Sequence, residues 1–453
     1  MAVSAGPTVT PGGRILGDVP MTVRQIVAVA MCVLLNALDG FDVLSISFAS
    51  PGIADEWGID RAQLGLVLSM ELIGMAVGSV VLGQVADRIG RRAVVVGCLA
   101  MMASGMLGSA TVGSIVLLAV TRLVTGFGIG GMLAATNALV AEYSNDKWRG
   151  AAVSIMAAGY PVGAIVGGAI ASNLLVDGSW RNVFLLGAGM TVVCLPLAPI
   201  LLPEPVGSLL QRRGPDTLER VNRTLRKLGH AAIAALPPEV PDAPRTRIAE
   251  LFARGLAPIT VLLTLSYFMH IMTFYFIVKW VPKIVVDMGF AASAAGGVLV
   301  WTNIGGLTGS LVFSALSVRV ALRTLLIAFM LASTVAVTIF GLGQGDLQGL
   351  SMAAAAGGFC TNAAVVGLYA LMAERFPTAV RAGGTGFVIG IGRGGAALGP
   401  VVGGILFSVG FGLPLVATVM ACGSLLAALL LVVLPPQRGT VAHGERLSGA
   451  LPD

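Results

Sequence analysis

Five ionisable residues stand in long apolar stretches of this chain: Asp39, Asp42, Glu71, Arg122 and Arg393. An ionised side chain at bilayer depth costs about 3 kcal/mol or more, so each is a functional-site candidate by default. Asp39 and Asp42 are three residues apart in Leu38-Asp39-Gly40-Phe41-Asp42 and share one helical face, which Asn36 extends by a turn. An isolated acid in oil takes up a proton, and a nearby guanidinium favours its ionised form. Arginine cannot discharge in this way, so Arg122 and Arg393 need an anionic partner at every stage. A planar guanidinium grips a carboxylate with two parallel hydrogen bonds. Two fixed cations among three titratable acids therefore suit binding of an organic anion coupled to protons. In this reading Asp39, Asp42 and Glu71 carry protons, and Arg122 and Arg393 hold the anion. A purely structural role, locking helices together, is the competing reading for Arg122 and for Glu71.

Two further side chains extend the site. His270 lies in Tyr267-Phe-Met-His270-Ile-Met-Thr-Phe274-Tyr275, where an imidazole can titrate or donate to a hydroxyl on the bound molecule. A neutral, hydrogen-bonded histidine is the commoner occupant of such a position. Tyr275, with Phe274, Trp301 and Phe41, can stack on an aromatic ring, although aromatics on apolar helices usually only pack.

The elements that must position these residues follow from composition. The chain has 453 residues, of which 56% are hydrophobic and 11% charged. Soluble domains carry about 25% charged residues, so this chain lacks the polar groups to cover a water-facing surface of its size. Apolar runs of about 20 residues, the length of a bilayer-crossing helix, recur along it. Twelve are read, at 24–49, 61–84, 93–112, 114–141, 148–175, 182–202, 256–281, 291–316, 322–342, 347–373, 382–408 and 411–434. The runs are continuous rather than alternating, which excludes a β-barrel. The predicted class is an all-α membrane protein of two six-helix bundles.

The domain plan is a tail over 1–23, bundles over 24–202 and 256–434, a linker over 203–255, and a tail over 435–453. With both termini cytoplasmic, four of the 28 basic residues (Arg61, Arg181, Lys279 and Lys283) fall outside and two within spans, leaving the rest inside. The net charge of +6 is thus placed by topology and signals no nucleic-acid partner. The first residues lack an apolar h-region, so no cleaved signal is read and the first span directs the chain to the membrane. The five cysteines lie far apart inside spans, with no CxxC or metal spacing. His230, His270 and His443 are scattered, and no glycine-rich phosphate loop follows a strand. A membrane-embedded metalloenzyme, an ATP-driven pump and a bound cofactor are all disfavoured.

The linker carries Arg212, Arg213, Arg220, Arg223, Arg226, Lys227, Arg245, Arg247 and Arg254, with prolines at 237, 238, 241 and 244. Leu218, Val221, Leu225 and Leu228 fall at helical spacing among the bases, which predicts a short amphipathic helix at the inner membrane surface. The halves look related. Glu142…Arg149 and Glu374…Arg381 each span seven residues, and the copies are 232 apart. Repeats of this kind mark carriers whose binding site lies near the midplane between halves.

The loop between the second and third spans reads Gly83-Gln-Val-Ala-Asp87-Arg88-Ile-Gly90-Arg91-Arg92. The glycines permit a tight turn, Asp87 suits a neighbouring helix N-terminus, and the arginines suit acids such as Glu142. This loop resembles the signature of the major facilitator superfamily. The Asp39-Gly-Phe-Asp42 element, Arg122, the Glu142…Gly150 run and Gly392-Arg393-Gly394…Gly399-Pro400…Gly403-Gly404 are similar to its aromatic acid:proton symporter branch. The resemblance implies a proton-coupled importer of benzoate- or hydroxybenzoate-like anions working by alternating access; a monomer in the inner membrane is expected. It implies proton-linked roles for Asp39 and Asp42, and substrate-path positions for Arg122 and Arg393. It also implies that Asp87 latches against the eleventh span to hold the outward-open state. Glu71 and His270 depart from that branch. An exporter of drugs and a symporter of aliphatic carboxylates remain alternatives. The matching second-half loop, Ser314 to Arg323, has no acid or glycine, so inner closure is expected to depend mainly on Asp87.

Overall fold

The computed structural model describes residues 15–176, 178–238, 248–253, 255–343, 345–377 and 380–435. Pro241, Pro244, Arg245, Arg247, Arg254 and His443 lie outside them. Among the described residues the chain is all helical, and twelve of its helices are long and apolar enough to cross a membrane. The first six are α1 (Val23–Trp57), α2 (Arg61–Ile89), α3 (Arg91–Thr111), α4 (Ile115–Tyr143), α5 (Arg149–Leu174) and α6 (Arg181–Leu201). Three short helices follow: α7 (Val206–Gln211), α8 (Thr217–Leu228) and α9 (Ile248–Leu251). The second six are α10 (Ala257–Asp287), α11 (Ala292–Leu316), α12 (Leu322–Gly341), α13 (Leu347–Arg375), α14 (Arg381–Ser408) and α15 (Leu413–Val433).

The helix ends have local causes. Thr22 and Gln25 form a capping box at the start of α1, and Asp60 and Gln63 form another at the start of α2. Gly58, at φ 57°, ends α1 in the left-handed conformation. Gly90, at φ 109°, makes the α2–α3 turn that a Cβ would strain. Gly83 needs no such freedom, since a Cβ there would meet only the Ala134 methyl at 3.9 Å.

Small residues let the helices approach. A Cβ on Gly40 would lie 2.0 Å from the Tyr160 carbonyl oxygen, and one on Gly163 would lie 1.8 Å from that of Ala37. The α1–α5 crossing is thus a backbone-to-backbone contact, which fixes the azimuth at which α1 presents its acids.

The amphipathic helix forms where its spacing predicts, but its setting differs. Val221, Leu225 and Leu228 on α8 are fully buried within the protein. The α8 carbonyl end is tied to the base of α1: Thr22 Oγ1 donates to Leu228 O at 2.5 Å and Arg24 Nη1 to Arg226 O at 3.0 Å. His230 Nε2 reaches Gln25 Oε1 at 2.9 Å, and Gln25 Nε2 donates to Tyr143 O at 2.7 Å. The apolar stripe is therefore covered by protein rather than by lipid.

Candidate functional site

A cavity of about 610 Å³ lies between the two bundles. It is lined by α1, α2, α4 and α5 on one side and by α10, α11, α13 and α14 on the other. Its lining reaches Ser154 near the start of α5, Ser314 near the end of α11 and Tyr369 on α13, so it opens toward the face that carries α7–α9. The opposite face is sealed. Arg61 on α2 pairs with Asp287 on α10 at 2.9 Å, and Ser69 Oγ donates to Ala397 O at 2.6 Å. Cβ atoms on Gly65 and Gly404 would lie 2.5 Å from Pro400 O and 2.4 Å from Arg61 O, so α2 and α14 meet there nearly backbone to backbone.

Arg393 projects from α14 into the cavity and is the single charged residue among the described lining. Its Nη1 donates to Met75 O on α2 at 2.7 Å, which holds the guanidinium across the inter-bundle gap. Tyr275 and Phe274 also line the space, ring edge against ring face with centroids 5.1 Å apart. Tyr267 and Tyr369 face each other with hydroxyls 3.1 Å apart. Four asparagines border the cavity: Asn36, Asn137, Asn303 and Asn362. Each spends its Nδ2 on a backbone carbonyl, of Met156, Leu133, Leu299 and Gly306 respectively. That leaves the four amide oxygens as acceptors.

The other predicted charges sit just beyond the sealed end of the cavity, inside the N-terminal bundle. Asp39, Asp42, Glu71 and Arg122 are all fully buried. Glu71 Oε1 pairs with Arg122 Nη2 at 2.5 Å. Arg122 also donates to Asp42 O at 3.1 Å, meets Met106 Sδ at 3.0 Å and lies 5.2 Å from the Phe184 ring. Among the described residues, no hydrogen-bond partner reaches either carboxyl oxygen of Asp39 or of Asp42. A buried ionised carboxylate without a donor is expensive, so, apart from any neighbouring charge, each of these two acids is cheaper protonated.

A fifth charge belongs to this cluster. Lys279 on α10 is fully buried, 3.4 Å from Glu71 Oε2, and its Nζ donates to Val43 O. Its expected place outside the membrane is thereby corrected. The reason is length: α10 runs on through Pro282 to Asp287, so Lys279 falls well inside the helix and not at its flank. The signal was available in Phe276-Ile-Val-Lys279-Trp-Val281, a lone base with only apolar neighbours.

Several predicted residues are not brought to the cavity. Arg122 is separate from the lining. His270 Nε2 meets Thr361 O at 2.9 Å and its Nδ1 meets Ser424 Oγ at 2.9 Å, so one neutral ring ties α10 to α13 and α15. Phe41 is fully buried, whereas Trp301 is 52% exposed on the bundle's outer surface. In the α2–α3 loop, Arg91 pairs with Glu142 and donates its backbone N–H to Glu204 Oε1, 3.0 Å away. Arg92 donates to Pro199 O at 2.7 Å, while Asp87 and Arg88 are exposed. In the second half, Arg323 caps the α15 terminus by donating to Leu431 O at 2.9 Å and Val432 O at 2.5 Å.

Twelve spans, with a cavity between two bundles that is closed at one end, fit a membrane transporter. The chain belongs to the Major Facilitator Superfamily, whose family description matches residues 32–300 and 263–450. Its curated relatives include the gallate transporter of Pseudomonas putida, 32% identical with 91% of this chain and 92% of the relative covered. The 4-hydroxybenzoate transporter PcaK of the same organism is 30% identical, covering 94% and 95%. The 3-(3-hydroxy-phenyl)propionate transporter of Escherichia coli (strain K12) is 30% identical, covering 92% and 96%. Among solved structures, the xylose transporter XylE of E. coli shares the fold. Its partially occluded inward open form gives a TM-score of 0.72 at 17% identity, covering 92% of this chain and 99% of the other.

Proposed function

We propose that this carrier moves a hydroxylated aromatic carboxylate together with protons. The observation that carries the reading is Arg393: one guanidinium, with no acid beside it in the described lining, beside the rings of Tyr275 and Phe274. Such a site takes a monoanion, its carboxylate on the guanidinium and its ring against the tyrosine. Asparagine oxygens around the space accept hydroxyl protons, which favours ring hydroxyls over a bare benzoate. Transport of gallate, 4-hydroxybenzoate and hydroxyphenylpropionate by relatives about 30% identical over nearly the whole chain supports the same class.

Asp39 and Asp42 take up the coupled protons, while Glu71 keeps Arg122 paired. His270 and Arg122 act on the substrate only through the packing of the helices that line the cavity. The basic linker face is cytoplasmic, so both tails are too, the carrier is inward-facing here, and uptake runs inward through the inner membrane. Asp87 is released in this form and engages the eleventh span when the inner side closes.

Asp39→Asn in proteoliposomes is expected to abolish uphill accumulation driven by a pH gradient while leaving downhill exchange of labelled 4-hydroxybenzoate. Undiminished gradient-driven accumulation in that variant overturns the proton assignment. Failure of the wild type to exchange any aromatic acid overturns the substrate class.

A further inference from the structure

Lys279 belongs to the C-terminal bundle, yet its ammonium is sealed inside the other half. Both of its partners, Val43 O on α1 and Glu71 on α2, lie in the N-terminal bundle. The position is on the sealed side of the cavity. Val278, its neighbour on α10, lines the closed end, and Arg61–Asp287 bridges the same two helices α2 and α10 nearer the surface. Opening that side separates α10 from α1 and α2, so it must withdraw Lys279 from its pocket.

The withdrawal changes a count of buried charge. Without Lys279, Glu71 and Arg122 balance each other, and Asp39 and Asp42 are cheapest when both are protonated. With Lys279 inserted, one added positive charge is compensated when one of the two aspartates gives up its proton. The remaining titratable groups facing the cluster are Cys98, Cys194, Tyr160 and Tyr275. Thiols and phenols carry no charge near neutral pH, so they leave the count unaltered.

We propose that Lys279 is an inter-bundle coupling cation: it docks on Glu71 and Val43 to seal the side away from the linker, and its arrival expels a proton from the Asp39–Asp42 pair. The proposal rests on the alternating-access reading above but not on the substrate. It makes Lys279 a positioning residue, acting on the substrate only through the gate and on the protons through charge.

The test is a distance measurement across the sealed face, without substrate. Nitroxides are placed by Asp55→Cys and Ala291→Cys, both exposed positions, in a background lacking the five native cysteines. In lipid, the wild type is expected to gain short, closed-side distances as pH rises. Lys279→Met should move the closed-to-open ratio at least tenfold toward open and flatten its pH response, and Lys279→Arg should restore both. Should Lys279→Met fail to fold, the Asp39→Asn/Asp42→Asn variant serves. With both acids permanently neutral and Lys279 in place, it should favour the open side at every pH. A wild-type distance distribution and pH response in either variant overturns the proposal. Because no substrate is present, the readout stands whichever solute the carrier moves.

Discussion

Replacing Glu71 by Gln removes the one acid that, among the described residues, pairs with both Arg122 and Lys279. The carboxylate lies 2.5 Å from Arg122 and 3.4 Å from Lys279, with all three side chains fully buried. At an effective dielectric of about 20, attractions at those distances are roughly 7 and 5 kcal/mol before desolvation. Most of that is offset by the cost of burying the ions, and deleting one partner of a buried pair costs about 3–5 kcal/mol net. Arg122 keeps the Asp42 carbonyl and the Phe184 ring, and Lys279 keeps the Val43 carbonyl, which argues for the lower half of that range. Asp42 lies beside Arg122 and can ionise in place of Glu71, giving back part of the loss. Equilibrium unfolding in mixed micelles should show Glu71→Gln less stable by about 3 kcal/mol, and Glu71→Gln/Asp42→Asn less stable still. A loss below about 1 kcal/mol, with nothing added by the Asp42 change, would refute the idea that these charges compensate one another.

Three other outcomes follow from single contacts. Arg393→Gln removes the charge-assisted grip on the carboxylate, worth about 1.5–3 kcal/mol, so the apparent KM should rise about 10- to 150-fold in uptake assays, with Lys intermediate. Gly163→Val puts a side chain where even a Cβ would stand 1.8 Å from Ala37 O, and it should abolish folded, monodisperse protein on size-exclusion chromatography. Burial holds the His230 imidazole below its ordinary value of 6.5. The unfolded linker therefore binds more protons than the folded one as pH falls through 6.5, and docking of α8 loses stability there. Amide protection in α8, taken relative to the intrinsic exchange rate at each pH, should fall between pH 7.5 and 5.5, and His230→Gln should remove that dependence.

Much of the architecture is written in runs of apolar residues, and most of the helix ends fall within about two residues of where those runs stop. The departures are at α1, α2 and α10, which continue past the apolar run through Asp, Glu, Arg or Pro because each helix projects beyond the hydrocarbon or packs against its neighbour. Lys279 was misplaced for that reason. The identity of buried charges was legible, but their partition was not. Asp39, Asp42, Glu71 and Arg122 cluster behind the cavity, while among the described residues Arg393 is the charged side chain that enters it, a distinction of helix azimuth set by contacts such as Gly40 on Tyr160. The α8 stripe was legible as amphipathic, but periodicity alone is silent on whether lipid or protein covers it.

The central claim is that a cavity with one guanidinium and buried, protonatable aspartates couples an aromatic anion to protons. The most direct measurement is uptake of labelled gallate and 4-hydroxybenzoate by the purified, reconstituted carrier, with an inward pH gradient imposed and then collapsed by an ionophore. Uphill accumulation that vanishes with the gradient, and is lost in Arg393→Gln, is the predicted result. Gradient-driven uptake of aliphatic acids alone, or aromatic uptake indifferent to the gradient, would contradict it.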